Sequence, residues 1–66
     1  MTTTEITSHI KAARIAAGMS QDDLAIKSQI SKRMIAYIES GKASATLKTL
    51  HALCAALNLK ITITNL

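Results

Sequence analysis

The chain has 66 residues and lacks proline, tryptophan and phenylalanine; it has two glycines, one tyrosine and one cysteine. Each shortage excludes something. A lone Cys54 cannot close an intramolecular disulfide, and with His9 and His51 scattered the chain shows no zinc-ligand spacing, so no metal is expected. Cys54 then reads as a small buried apolar side chain, and His51 as a surface or flanking residue of a late helix. With Tyr37 as the sole aromatic, the stacking platforms that hold single strands or RNA are missing. Acidic residues are also few, four against eight Lys and Arg, and the net charge of +4 favours a polyanionic partner, of which duplex DNA is the better fit.

Chemistry is equally thin. The chain shows no paired catalytic carboxylates, no phosphate-cradling glycine loop and no nucleophile–base pair, so neither enzymatic activity nor a cofactor is expected. The opening MTTTEIT has neither the charged start nor the apolar stretch of a signal peptide, and no run reaches membrane-spanning length, so a soluble cytoplasmic protein is expected. A chain this short supports one domain, spanning 1–66, with a core so small that something outside the monomer is expected to complete it.

What is present is helical punctuation. Apolar periodicity predicts helices over about 5–17, 21–28, 32–40 and 47–58. Ile6, Ile10, Ala13 and Ala17 form the buried stripe of the first, which Gly18 ends. Ser20 and Asp23 approximate a capping box for the second, Ser31 opens the third, Gly41 closes it with a left-handed backbone, and Thr46 caps the fourth. Leu47, Leu50, Leu53 with Cys54, and Leu57 make the core stripe of that fourth helix.

Stepping the third helix in 100° increments puts Ser31, Ile35, Ile38 and Glu39 on one side, with Met34 at the margin, and Lys32, Arg33, Ala36, Tyr37 and Ser40 on the other. The second set offers a guanidinium, an ammonium, a phenol and a methyl group, which are base-edge and phosphate-reading chemistry. Lys32, Arg33, Ala36 and Tyr37 are therefore the candidate base readers.

The run SQDDLAIKSQISKRMIAYIESG, residues 20–41, resembles the helix-turn-helix of the Xre and lambdoid-repressor family. Ser20 and Gln21 open its second helix, Leu24 and Ala25 pack, Ile30 and Ser31 leave the turn, Ile35, Ile38 and Glu39 line the inner face, and Gly41 with Lys42 starts the next loop. The resemblance covers roughly residues 6 to 59 and implies an all-α, four-helix, lambda repressor-like fold that binds duplex DNA. It further implies an ion pair between Arg14 and Glu39, and DNA-backbone contacts from Gln21, Ser31, Lys42, Ser44 and the amides opening the second helix. Two departures stand out: Gln29 where the family commonly has glycine in the turn, and Ala45 where it often has proline. A left-handed Gln29 would carry a steric cost, and Ala45 would loosen the 41–45 loop.

The tail changes period. Lys60, Ile61, Thr62, Ile63, Thr64 and Asn65 alternate polar and β-branched residues, which predicts a strand over about 60–65. No other segment reads as a strand, so its backbone partner is expected from a second chain, most simply its own copy across a twofold axis, with Lys60 to Thr64 forming the dimer contact. The alternatives are a frayed end or a strand added to a different protein. A fourth helix followed at once by such a strand is similar to the HipB-type antitoxins, which implies a homodimer that represses its own operon and holds a HipA-like kinase toxin. A stand-alone phage-like or plasmid-like Xre regulator, and a toxin-neutralising module that does not bind DNA, remain open at this point. With no sensor domain recognisable beside the helix-turn-helix, regulation is expected from a partner or from abundance.

Overall fold

The structure, a computed structural model, describes residues 3–59, with side chains from residue 6 onward. Among those residues it consists of four helices and no strand: α1 Thr3–Ala16, α2 Gln21–Ser28, α3 Lys32–Glu39 and α4 Leu47–Ala56. The strand predicted over 60–65, and the dimer contact assigned to Lys60 through Thr64, lie outside the described residues.

Helix starts follow the side-chain caps. Ser20 Oγ accepts from Asp23 N at 3.0 Å while Asp23 Oδ2 accepts from Ser20 N at 2.9 Å, a reciprocal box. Ser31 Oγ accepts from Met34 N at 3.1 Å, and Thr46 Oγ1 from Thr49 N at 3.2 Å.

Helix stops explain why α1, α3 and α4 end earlier than the predicted 17, 40 and 58. Each closes in one motif, with a left-handed residue just past the helix and two backbone bonds folding back over the last turn. After α1, Gly18 has φ 70°, and Gly18 N bonds Ile15 O at 3.0 Å while Met19 N bonds Arg14 O at 3.1 Å. After α3, Gly41 has φ 77°, with Gly41 N on Ile38 O at 3.1 Å and Lys42 N on Tyr37 O at 2.9 Å. Asn58, at φ 57°, does the same for α4, sending Leu59 N to Cys54 O at 2.7 Å. Asparagine tolerates that backbone better than most residues that carry a Cβ.

The turn between α2 and α3 uses Gln29 at φ 61° and ψ 25°, with its N–H on Ala25 O at 2.9 Å. The left-handed backbone is thus present without glycine. Ser28 supports the corner from inside, its Oγ donating to Leu24 O at 2.6 Å and accepting from Ile30 N at 3.2 Å.

Ile10, Leu24, Ile35, Ile38, Leu50, Leu53, Cys54 and Ala56 form one core, flanked by Ile6, Met19, Ala25, Ile30, Ala45 and Leu57. α2 packs on α3 and α4, and α1 on α3, so the core lies beneath the α2–α3 pair. Three stripe residues fall outside the core. Ala13 is half-buried without joining it. Ala17 is exposed because α1 has already ended, and Thr7 joins Ile10 on the buried side instead. Leu47 is 53% exposed. The buried arc of α4 centres between Leu50 and Leu53, which leaves Leu47 on its flank. No helix among the described residues is long and apolar enough to cross a membrane.

Candidate nucleic-acid interface

α3 is divided sharply into two sides. Ile35 and Ile38 are fully buried, while Lys32, Arg33, Met34, Tyr37 and Ser40 are exposed and Ala36 is half-buried. The structure therefore brings Lys32, Arg33, Ala36 and Tyr37 onto one outward surface. Arg33 and Tyr37, one turn apart, also touch: the guanidinium carbon lies 5.4 Å from the ring centroid and Nε donates to the phenol oxygen at 3.3 Å.

The charges at the start of α3 oppose its own stability. A helix N-terminus carries partial positive charge, and a cation in the first turn costs about 0.3–1 kcal/mol where an anion would gain it. α2 obeys that rule, with Asp22 and Asp23 in its first turn and Lys27 in its last. α3 inverts it, since its first turn has no acid and contains Lys32 and Arg33. Among the described residues the carboxylate paired with Lys32 is Asp22, with Nζ 3.2 Å from Oδ2, and both side chains are more than half exposed, so solvent screens the pair. An external anion opposite this turn would relieve both cations at once.

Behind the outward face lies a strap of ion-pair and hydrogen bonds. Arg14 Nε and Nη2 donate to Glu39 Oε2 at 2.8 Å and Oε1 at 3.0 Å, and Nη1 donates to Met19 O at 2.8 Å. Side-chain exposure is 12% for Arg14 and 3% for Glu39, which makes this a buried bidentate pair joining α1 to the end of α3. Gln21 Nε2 adds a third bond, donating to Glu39 Oε1 at 3.2 Å. Burial pushes the Glu39 carboxyl up, but the hydrogen bonds from Arg14 and Gln21 and the charges of Arg14 and Lys11 outweigh it and leave its pKa below the ordinary value. The Glu39 hydrogen bond in turn raises Arg14 above its ordinary value, against the opposing effect of burial.

The backbone-contact candidates are distributed around this face. Gln21, half-buried, has one amide N–H on Glu39, leaving the second N–H and the carbonyl oxygen for other partners. Ser31 Oγ accepts as the α3 cap and keeps its own proton to donate. Lys42 and Ser44 are exposed on the loop before α4, and the Lys42 N–H is committed to Tyr37 O, so only its side chain is available. At the opening of α2 two of the amides are already taken, the Asp23 N–H by Ser20 Oγ and the Leu24 N–H by Ser20 O, and two acidic side chains share the first turn.

Three contacts between side chains of α2 and α3 or within α3 were not foreseen: Asp22 with Lys32, Gln21 with Glu39, and Arg33 with Tyr37. Only the last had a local signal, its four-residue spacing on one helix. The others join separate helices and depend on the angle of the turn. Among the described residues no three His, Cys, Asp or Glu side chains gather into a group able to hold a metal ion.

Residues 10–63 match the sequence model of a family described as helix-turn-helix, HTH_3. No curated protein matches the chain.

Proposed function

The chain belongs to the HTH_3 helix-turn-helix family, whose match takes in the second half of α1 and all of α2, α3 and α4, and from that premise we propose that it is a sequence-specific duplex-DNA-binding transcriptional repressor. The observation that carries this reading is the first turn of α3, where Lys32 and Arg33 stand against the helix dipole with no acid in that turn and with the Lys32–Asp22 contact screened by solvent. Such a turn is stabilised by an anionic partner. α3 enters the major groove, Arg33 meets guanine, Ala36 faces a thymine methyl, and Lys32 and Tyr37 meet base edges or phosphate. Gln21, Ser31, Lys42 and Ser44 hold the DNA backbone to either side.

The finer reading is that of a cytoplasmic, non-catalytic homodimer with half-sites about 34 Å apart on a pseudo-palindromic operator. Its two copies are joined by strands from residues 60–65. The order of elements, α4 followed by an alternating tail, supports an antitoxin that represses its own operon beside a HipA-like kinase toxin. A neighbouring kinase-like gene favours this over a stand-alone Xre regulator, and a gel shift with the chain's own upstream DNA separates both from a toxin-binding module that ignores DNA.

Selection from random duplexes tests the core of the proposal. An enriched, symmetric, guanine-containing site is expected. Arg33→Ala then relaxes selectivity at one position by roughly 1–3 kcal/mol, while Lys42→Ala weakens all sequences alike and lowers the salt dependence. No enrichment, or full selectivity in Arg33→Ala, would reject this reading face.

A further inference from the structure

The contact between Arg33 and Tyr37 changes what each can do on DNA. A guanidinium has two edges able to make paired hydrogen bonds: a side edge that includes Nε, and an end edge formed by the two Nη groups. Here Nε donates to the Tyr37 hydroxyl at 3.3 Å, with the guanidinium carbon 5.4 Å from the ring centroid. The side edge is therefore engaged within the protein, and among the described residues nothing occupies the end edge.

Tyr37 is itself well anchored. Its carbonyl accepts from Lys42 N at 2.9 Å and from Ser40 Oγ at 3.0 Å, which fixes the backbone from which the ring projects. The ring lies one turn beyond Arg33 on the same outward side of α3, away from the buried Ile35 and Ile38. An exposed arginine otherwise samples many rotamers, and ordering it at an interface reduces affinity. The phenol restricts that sampling before DNA arrives.

We propose that Tyr37 is a positioning residue that works through Arg33: its hydroxyl holds Nε so that the Nη fork is presented end-on to the N7 and O6 acceptors of a single guanine. This rests on the reading face described above and replaces the simpler expectation that Tyr37 reads a base edge by itself. The ligand chemistry is specific, because an end-on fork matches the two acceptors that guanine alone places side by side in the major groove. With the hydroxyl removed, the guanidinium can turn its side edge outward or swing to a phosphate, and the guanine preference falls even though the charge stays.

The experiment uses the full chain, an operator taken from random-duplex selection, and copies of that operator in which each guanine in turn is replaced by 7-deazaguanine, which lacks the N7 acceptor. Affinity is measured for the unaltered protein, Tyr37→Phe and Arg33→Ala, with thermal unfolding of each as a control for folding. The unaltered protein is expected to lose roughly tenfold at one guanine position of each half-site, and Arg33→Ala to show no loss there. Tyr37→Phe keeps the ring and is expected to unfold at the same temperature, yet to show at most about a threefold loss at that same position. A full tenfold loss in Tyr37→Phe overturns the positioning role while leaving Arg33 as the reader. A new loss of discrimination at a different base pair in Tyr37→Phe overturns it as well, because Tyr37 then reads directly. If Arg33→Ala retains the tenfold loss, or no operator is obtained, the reading face fails and this inference fails with it.

Discussion

At the scale of single residues, Gln29 and Glu39 show how far sequence reaches. The turn position of Gln29 was legible, but its backbone state was not, because nothing local forces a glutamine to φ 61°. The corner is imposed by α2 and α3 packing over one core, and a Cβ there costs about 1–2 kcal/mol. Gln29→Gly should raise stability by about 0.5–1 kcal/mol, the steric relief being partly offset by glycine's greater freedom in the unfolded chain; a lower denaturation midpoint would contradict it. Glu39 is held below its ordinary pKa, despite burial, by Arg14 and Gln21. A folded pKa below the unfolded one gives stability that is fully present above the unfolded value and lost as pH falls through the folded value. Acid titration of the fold should therefore show a steep limb at and below the ordinary carboxylate range. Glu39→Gln should flatten that limb and lower neutral-pH stability by on the order of 3 kcal/mol, because Arg14 is left buried without its partner. Equal acid sensitivity in both proteins would refute the assignment. The Arg14–Glu39 pair was expected from family resemblance alone; the Gln21 contact was not, since it needs the two helices already docked.

At the scale of elements, helix starts were legible to the residue for α2, α3 and α4, because Ser20, Ser31 and Thr46 are short polar caps directly before apolar periodicity. Stops were less so. Gly18 and Gly41 mark the left-handed residue, but the helix proper ends ahead of it, and Asn58 serves the same purpose without the compositional signal. The inverted charge of α3 belongs to this scale too. Arg33→Glu puts an acid in the first turn and forgoes the contact with Tyr37, so urea unfolding should show stability held or raised by up to about 0.5 kcal/mol. Duplex affinity should meanwhile fall at least roughly tenfold. A loss of stability with unchanged DNA binding would mean that the charges of α3 serve the fold.

At the scale of the whole molecule, the core of α1–α4 is small, and five large aliphatic side chains, Ile15, Ile26, Met34, Leu47 and Leu59, remain exposed around it among the described residues. Stability of a few kcal/mol is what a chain of this size ordinarily has. If the tail joins two copies, deletion of residues 60–66 should give a monomer by sedimentation velocity. It should also cost about two orders of magnitude in operator affinity, because the second half-site is no longer reached intramolecularly. A truncated chain that stays dimeric would rule the tail out as the joint. The tail's alternation was plain in the sequence; its partner could not be, because strand pairing between chains leaves no mark in either one.

Tyr37 also has a practical consequence. It is the sole tyrosine of a chain without tryptophan or phenylalanine, and it stands half-exposed on the outward side of α3. Isotope labelling of tyrosine alone would give an NMR spectrum with ring signals from one place in the molecule, at the contact with Arg33. Occupancy, exchange rate and ring flipping at that surface are then readable from one set of lines, with no dye, tag or added residue to perturb what is observed.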